Sequence, residues 1–139
     1  MATKSPLQRG VFAVTQSDHS FSPDVVDHFL HPRNVGSVEN ATATVELVNE
    51  ICGDNLQMSV RVSAGNIEAI KFRSEGCAVA VASASKLTEA VTGRTIAEAD
   101  NLAKSAVASV QQGTHSEKQH CLDIVLLAWQ KLLAEINTK

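Results

Sequence analysis

Five side chains in this 139-residue chain have the chemistry to hold a soft or borderline metal. They are Cys52, Cys77 and Cys121, with Asp54 two residues after the first and His120 directly before the last. Thiolates suit zinc and iron–sulfur units, imidazole is a borderline ligand and a carboxylate oxygen a hard one, so the set fits an exchangeable iron or zinc site. No CxxC pair is present, which removes zinc-ribbon and thioredoxin-like readings. Context says more than spacing. Cys77 and Cys121 both fall in the first turn of an expected helix, where unpaired N–H groups and the positive end of the helix dipole favour thiolate over thiol. Cys52 falls on an expected loop. Three cysteines, with no apolar block between Met1 and Asp18 resembling a secretory signal, argue against a disulfide framework. At each position the plain alternative is a buried, inert cysteine.

The elements that must position these residues follow from periodicity. Ser22-Pro23-Asp24 supplies an N-cap, a proline at the first helical position and an acid in the first turn, so a short helix should run from there to His31-Pro32. His31 to Asn40 reads as a connection in which Arg33 and Asn34 fix a turn. Ala41 to Val48 alternates and predicts a strand, and Asn49 to Asn55 breaks the pattern. Leu56, Met58, Val60 and Val62 recur at period two, Ala64-Gly65-Asn66 turns, and Ile67 to Arg73 returns with Ile70 and Phe72 on one face. The sheet should be antiparallel, three-stranded and apolar on one side, in need of a helical cover.

The helix opened by Gly76-Cys77 carries no charge until Lys86 and has no obvious wet face, so it should lie inside the domain and end near Thr92-Gly93. Thr95-Ile96-Ala97-Glu98 matches a capping box and starts a helix with Ile96, Ala99, Leu102, Ala103, Ala106, Val107 and Val110 on one face, stopping near Gly113. Ser116-Glu117-Lys118-Gln119 is a second such match, and Leu122, Val125, Leu126, Trp129, Leu132, Leu133 and Ile136 keep helical spacing to the end. The fold class is therefore α+β: a three-stranded antiparallel sheet covered by helices, with one short helix before it and three after. Residues 1–21 read as a loose arm and 22–139 as one domain. His19, His28, His31 and His115 read as surface or packing residues.

Composition excludes several functions. The net charge is −3, basic residues are isolated and aromatics are 4% without a tyrosine, so nothing favours nucleic-acid binding. No apolar stretch approaches the roughly 20 residues needed to cross a bilayer. The expected compartment is the cytoplasm. A weaker organelle-transit flavour comes from Lys4, Arg9 and several hydroxyls before the first acid, Asp18.

Four segments carry a resemblance. They are Ile51-Cys52-Gly53-Asp54, the run from Phe72 through Gly76-Cys77 to Ser83-Ala84-Ser85, His120-Cys121, and His31-Pro32-Arg33-Asn34-Val35-Gly36. With the first three in that order and Gly93-Arg94-Thr95 between the second and the third, they closely resemble the IscU-like iron–sulfur cluster assembly scaffolds, equivalent to the N-terminal domain of NifU, over residues 22 to 136. The resemblance implies a scaffold without turnover chemistry of its own. A [2Fe-2S] cluster is built on it from iron and from sulfur supplied by a cysteine desulfurase, then passed to apo-proteins. Cys52, Cys77 and Cys121 match the cluster cysteines and Asp54 the aspartate that keeps the cluster labile. His120 matches the fourth potential ligand, and Cys121 the persulfide acceptor. The family also implies ferredoxin, a frataxin-like protein and Hsp70/J-type chaperones as partners, and zinc in isolated protein. Where the IscU type carries a Leu-Pro-Pro-Val-Lys chaperone-docking segment, this chain has Thr114-His115-Ser116-Glu117-Lys118, and only the lysine is kept. The SufU branch usually has an insertion before the last cysteine and lacks the histidine before it, and neither holds here. A structural zinc domain and a persulfide sulfur carrier are the other readings of the same donors.

Overall fold

The structure is a computed structural model and describes residues 23–49, 53–76, 78–111 and 119–137, with the side chains of all of these except Asn49, Asp54, Gln111 and residues 119–122. Helix α1 (Pro23–Leu30) is followed by strands β1 (Ala43–Asn49), β2 (Asp54–Ser63) and β3 (Asn66–Glu75). Helices α2 (Ala78–Val91), α3 (Ile96–Gln111) and α4 (Gln119–Asn137) complete the order. The expected α+β class and element order are both found.

The sheet is antiparallel in the order β1-β2-β3. Its apolar rows are made by facing pairs: Val45 opposite Met58 opposite Phe72, Ala43 opposite Val60 opposite Ile70, and Leu47 opposite Leu56. Period two would send Ile67 and Ile70 to opposite faces, yet both are buried in the core. A register shift between Arg61 and Val62 resolves the conflict. Arg61 pairs Ala69 and Val62 pairs Ile67, so Glu68 is the extra residue of a β-bulge, and its carboxylate accepts from Arg61 Nε at 2.6 Å. The ladder also runs further than side-chain alternation suggests. Asn49 pairs with Asp54, so the connection between β1 and β2 is residues 50–53, and Asp54 opens a strand rather than ending a loop. Backbone pairing extends into polar residues because a ladder hydrogen bond does not depend on what the side chain is.

The predicted capping box at the head of α3 forms. Glu98 N–H donates to Thr95 Oγ1 at 3.2 Å, and Thr95 N–H donates to Glu98 Oε1 at 3.3 Å. The helix ends at Gln111, and the second box falls on Ser116, outside the described residues. On α4, Val125, Trp129 and Leu132 are buried as expected. Ile124 and Ala128 join them, because the helix packs on α2 and α3 as well as the sheet and its buried face is wider than one stripe.

Trp129 is wholly buried, and its indole N–H donates to Asp100 Oδ1 at 3.0 Å. That bond, with the Lys104 ammonium 3.1 Å from Oδ2, holds the Asp100 carboxyl below its usual range. Replacing Trp129 by Ala should cost about 3–5 kcal/mol from the cavity. Trp129→Phe should cost less, about 1.5–3 kcal/mol, because it keeps a ring in the site and loses the bond to a charged acceptor with a smaller cavity. Urea unfolding distinguishes the two; a Phe variant as unstable as the Ala variant would show that the bond, not the ring, dominates.

Candidate functional site

The described backbone fixes where the segments bearing the five candidate ligands emerge. Asn49, Asp54 and Glu75 lie at one end of the sheet, because Asn49 pairs with Asp54 and Asn55 with Glu75. The β1–β2 connection, which contains Cys52, and the β3–α2 connection, which contains Cys77, therefore both leave from that end. The opposite end is closed by the Ala64-Gly65 turn, where Ile96 N–H bonds Gly65 O at 3.0 Å and Gly93 N–H bonds Ile67 O at 2.8 Å. Helix α2 thus runs from the first end to the second, and α3, packed along α2, runs back.

The direction of α4 follows from reach. Trp129 lies ten residues into α4 and meets Asp100, eleven residues before the end of α3. If α4 ran parallel to α3, residues 112–118 would have to bridge roughly 31 Å along the axes at about 1.5 Å per residue. Eight extended Cα–Cα steps reach at most ~29 Å, so a parallel α4 needs a connection at full stretch and an antiparallel one does not. On the antiparallel course its first turn, with His120 and Cys121, starts at the sheet end that bears Asp54.

At the level of the backbone the Cys52 and Cys77 segments share one end of the sheet, and the antiparallel course of α4 brings the Cys121 segment to the same end. Cys52 and Cys77 lie outside the described residues, as do the side chains of Asp54, His120 and Cys121. The segment Thr114 to Lys118 also lies outside them. What is described beside the cysteines is their glycines. Gly53, after Cys52, has φ +77° and Gly76, before Cys77, has φ +136°. L side chains rarely adopt such angles, so both positions are reserved for glycine by the backbone itself.

The helix that starts after Cys77 is enclosed. Val79, Ala80, Ala82, Ser83, Ala84, Ser85, Leu87, Thr88 and Val91 are all buried. Its hydroxyls need partners, and α1 with the following connection supplies them. Ser85 Oγ accepts from Arg33 N–H at 2.9 Å and lies 2.7 Å from His28 Nδ1. Glu89 Oε1, 3.3 Å from Nε2, is an acceptor for the ring proton there, and in that tautomer the Ser85 hydroxyl donates to Nδ1. Asn34 Nδ2 donates to Thr88 Oγ1 at 3.2 Å, and Arg33 Nη2 to Asp27 Oδ2 at 2.6 Å. Lys86 Nζ donates to Asp24 Oδ2. Among the described residues Ser83 Oγ is buried without a partner.

Sequence reasoning missed this clamp. His28 is 3% exposed, so of the two readings offered for it packing is the right one, and Arg33 does more than fix a turn. The available signal was the presence of three hydroxyl residues, Ser83, Ser85 and Thr88, on a helix with no wet face. The turn reading of Asn34 holds: its φ is +61°, and its carbonyl accepts from Phe72 N–H at 2.9 Å, tying the segment to β3.

The comparisons with known proteins agree with the fold. The family model described as NifU-like N terminal domain matches residues 20–138. The chain belongs to the NifU-like N-terminal domain family. A member from Archaeoglobus fulgidus, an iron-sulfur cluster assembly scaffold protein IscU, is 37% identical over 119 residues, covering 86% of this chain and 78% of that protein. The zinc-dependent sulfurtransferase SufU of Bacillus subtilis is 36% identical over 80 residues, 58% of this chain and 54% of its own. Among solved structures, the crystal structure of the N-terminal part of a nitrogen-fixing NifU-like protein from Brucella abortus superposes with a TM-score of 0.71 at 14% identity. The match covers 85% of this chain and 94% of that one, and it bears on the family fold alone.

The clamp makes stability pH-dependent with a definite sign. Burial, and then the Arg33 guanidinium, push the His28 imidazole below its ordinary 6.5 despite Glu89 and Asp24. Below pH 6.5 the unfolded chain takes up a proton that the folded one refuses, so His28 favours the folded state fully above 6.5 and its contribution is lost as pH falls toward the lowered folded value. The carboxyls act in a separate, more acid window. Asp24 is held below 3.8 by Lys86 and Asp27 by Arg33, so their contribution is lost only below that. Urea unfolding from pH 7.5 to 5 should show a loss that is reduced in His28→Gln; an identical slope in that variant would place the effect elsewhere.

Proposed function

We propose that this chain is a scaffold on which a transient [2Fe-2S] cluster is assembled from iron and desulfurase-derived sulfur and then passed to apo-proteins. The observation that carries the reading is geometric: the segments bearing Cys52 and Cys77 leave the same end of the sheet, and an antiparallel α4 would begin there with Cys121. Membership of the family and the name of the archaeal relative support the class of cargo. In this reading the three cysteines are the cluster ligands and Asp54 and His120 compete for the remaining position. A shell of four thiolates holds a cluster firmly, whereas one carboxylate or imidazole position leaves an exchangeable bond through which the cargo departs.

Each residue has a task. Cys77, at the head of an enclosed helix, is the fixed wall of the site. The Cys121 thiolate, on the first turn of α4, attacks the outer sulfur of the desulfurase persulfide and takes it up, the desulfurase cysteine leaving as thiolate; an electron donor such as a ferredoxin then reduces that sulfur to the sulfide the cluster needs. Asp54 supplies the weak position. The scaffold contributes no turnover chemistry of its own, and its partners are a sulfur donor and apo iron–sulfur proteins. We place it in the cytoplasm, where cysteines stay reduced. Among the described residues no helix is long and apolar enough to cross a membrane.

The sulfurtransferase relative favours a second reading, in which the same donors hold zinc and Cys121 only relays sulfur. Anaerobic reconstitution with ferrous iron, cysteine, a desulfurase and a thiol reductant separates the two. The scaffold develops visible charge-transfer absorption and activates an apo-ferredoxin. Tight, stoichiometric zinc that resists exchange, with no such absorption, would refute it. Cys77→Ser should abolish cluster formation while leaving the fold intact by circular dichroism. Asp54→Ala should yield a cluster that transfers about tenfold more slowly, in the range seen when groups around a metal are altered. Transfer at an equal or faster rate would remove Asp54 from the releasing role.

A further inference from the structure

The sheet has two edges, and among the described residues only one of them is met by another segment. Along β3, Gly36 N–H donates to Phe72 O at 2.8 Å and Phe72 N–H to Asn34 O at 2.9 Å, so the connection after α1 closes that edge. Along β1, no described residue pairs with the outer side. A free edge is ordinarily blunted by proline, lysine, a bulge or a very short strand. β1 has none of these: it runs seven residues in unbroken register with β2, and Glu46 is its one charge. The core also runs out to this edge, where Val45 and Leu47 pack against it and stay only half-buried. Helix α4 packs on both β1 and β2, while α2 lies over β3 and α3 packs on the two helices. Trp129 of α4 meets Asp100 of α3. At about 100° per residue, Leu127 lies about 160° round the helix from Trp129, on the flank away from α3 that overhangs the β1 edge. Leu127 is 47% exposed.

We propose that a second copy of this chain docks on this edge, the two β1 strands pairing antiparallel about a two-fold axis to make one six-stranded sheet. Spacing and register select a copy over an unrelated strand. The axis of α4 runs over the gap between β1 and β2, about half a strand spacing inside the edge. Strands paired at ~4.8 Å therefore bring the two α4 axes to roughly 10 Å, the separation at which helices pack, and each Leu127 flank is covered. A lone extended peptide would pair with the ladder and leave that flank bare. A two-fold axis normal to an antiparallel pair must pass through a residue, because residues directly opposite share a face. Through Glu46 it would oppose two carboxylates, which is destabilising. Through Leu47 it would set Val45 against Asn49 and Glu46 against Val48, apolar against polar, and through Thr44 it would pair only the end of the strand. Through Val45 it sets Thr44 opposite Glu46 of the second copy on the outer face, hydroxyl to carboxylate, and Ala43 opposite Leu47 on the helix face, small to large. Asn49, at the cysteine-bearing end, stands four residues from that axis. The two such ends are thus roughly 27 Å apart along the strands, so the pairing needs no shared metal.

The test uses the full chain, metal-free and in the presence of a chelator. Sedimentation equilibrium from roughly 10 μM to 1 mM, the range for an interface one strand and one helix wide, should show reversible dimers. In a mixture of isotopically labelled and unlabelled copies, nuclear Overhauser contacts between copies should join Val45 to Val45 and Thr44 to Glu46. Leu127→Lys puts a charge on the flank that the second α4 must cover, and should weaken association about tenfold with the urea midpoint of the monomer unchanged. A monomer at every concentration would overturn the proposal. So would dimers that form only with metal, contacts between copies confined to α1 or another face, or contacts that place another part of the same chain on β1. Association unchanged in Leu127→Lys would equally overturn it.

Discussion

A helix with almost no wet face must be enclosed nearly all round, and most of this fold follows from meeting that requirement for α2, where only Ala78 and Glu89 are exposed. Its alanines and valines let neighbours approach closely, and it is met by α1, β3, α3 and α4. The small residues give little burial individually, about 25 cal/mol per Å² of apolar surface removed from water, so the enclosure has to take in most of the helix. Larger side chains come from the neighbours: Phe72, Ile70 and Met58 from the sheet, Val107 and Val110 from α3, and Trp129 and Leu132 from α4. A site hung at the head of α2 inherits the rigidity of the most enclosed element in the molecule.

The same enclosure creates an electrostatic problem. Ser83, Ser85 and Thr88 bring hydroxyls into a dry interior, where an unpaired polar group costs about 1–3 kcal/mol. Ser85 and Thr88 are satisfied by α1 and the residues after it, so the charged and polar residues His28, Arg33 and Asn34 serve α2 rather than the surface. The carboxylates that surround them, Asp24, Asp27 and Glu89, are partly exposed and screened. Their effect on stability lies in fixing the protonation of His28 and the direction of Arg33 more than in net attraction. The clamp therefore links the short first helix to the enclosed one across more than fifty residues of sequence.

At the sheet end the constraint is on backbone rather than side chains. Ladder pairing runs to Asn49, Asp54 and Glu75, so the chain has only residues 50–53 and the pair Gly76-Cys77 in which to turn. Turns this short, leaving paired strands, need angles that L residues avoid, and Gly53 and Gly76 supply them. Glycine next to each cysteine is thus a requirement of the strand ends, whatever the thiols bind.

How much of this was legible depends on the range over which each signal acts. Thr95 and Glu98 satisfy each other across three residues, Leu56, Met58 and Val60 alternate within one strand, and α4 repeats its apolar spacing over nineteen residues. Local rules therefore sufficed to predict all of these. The bulge at Glu68 was not legible, because Ile67 and Ile70 contradict period two and only pairing with Arg61 and Val62 reveals the extra residue. Nor was the clamp, since nothing near Ser85 in sequence announces that its partners are 57 and 52 residues away. The candidate ligands stand between these cases. Their chemistry is readable from residue type alone, but the reason that Cys52, Cys77 and Cys121 can serve one site is topological. It rests on α3 running the length of α2 and on a seven-residue connection that a parallel α4 would pull to full stretch.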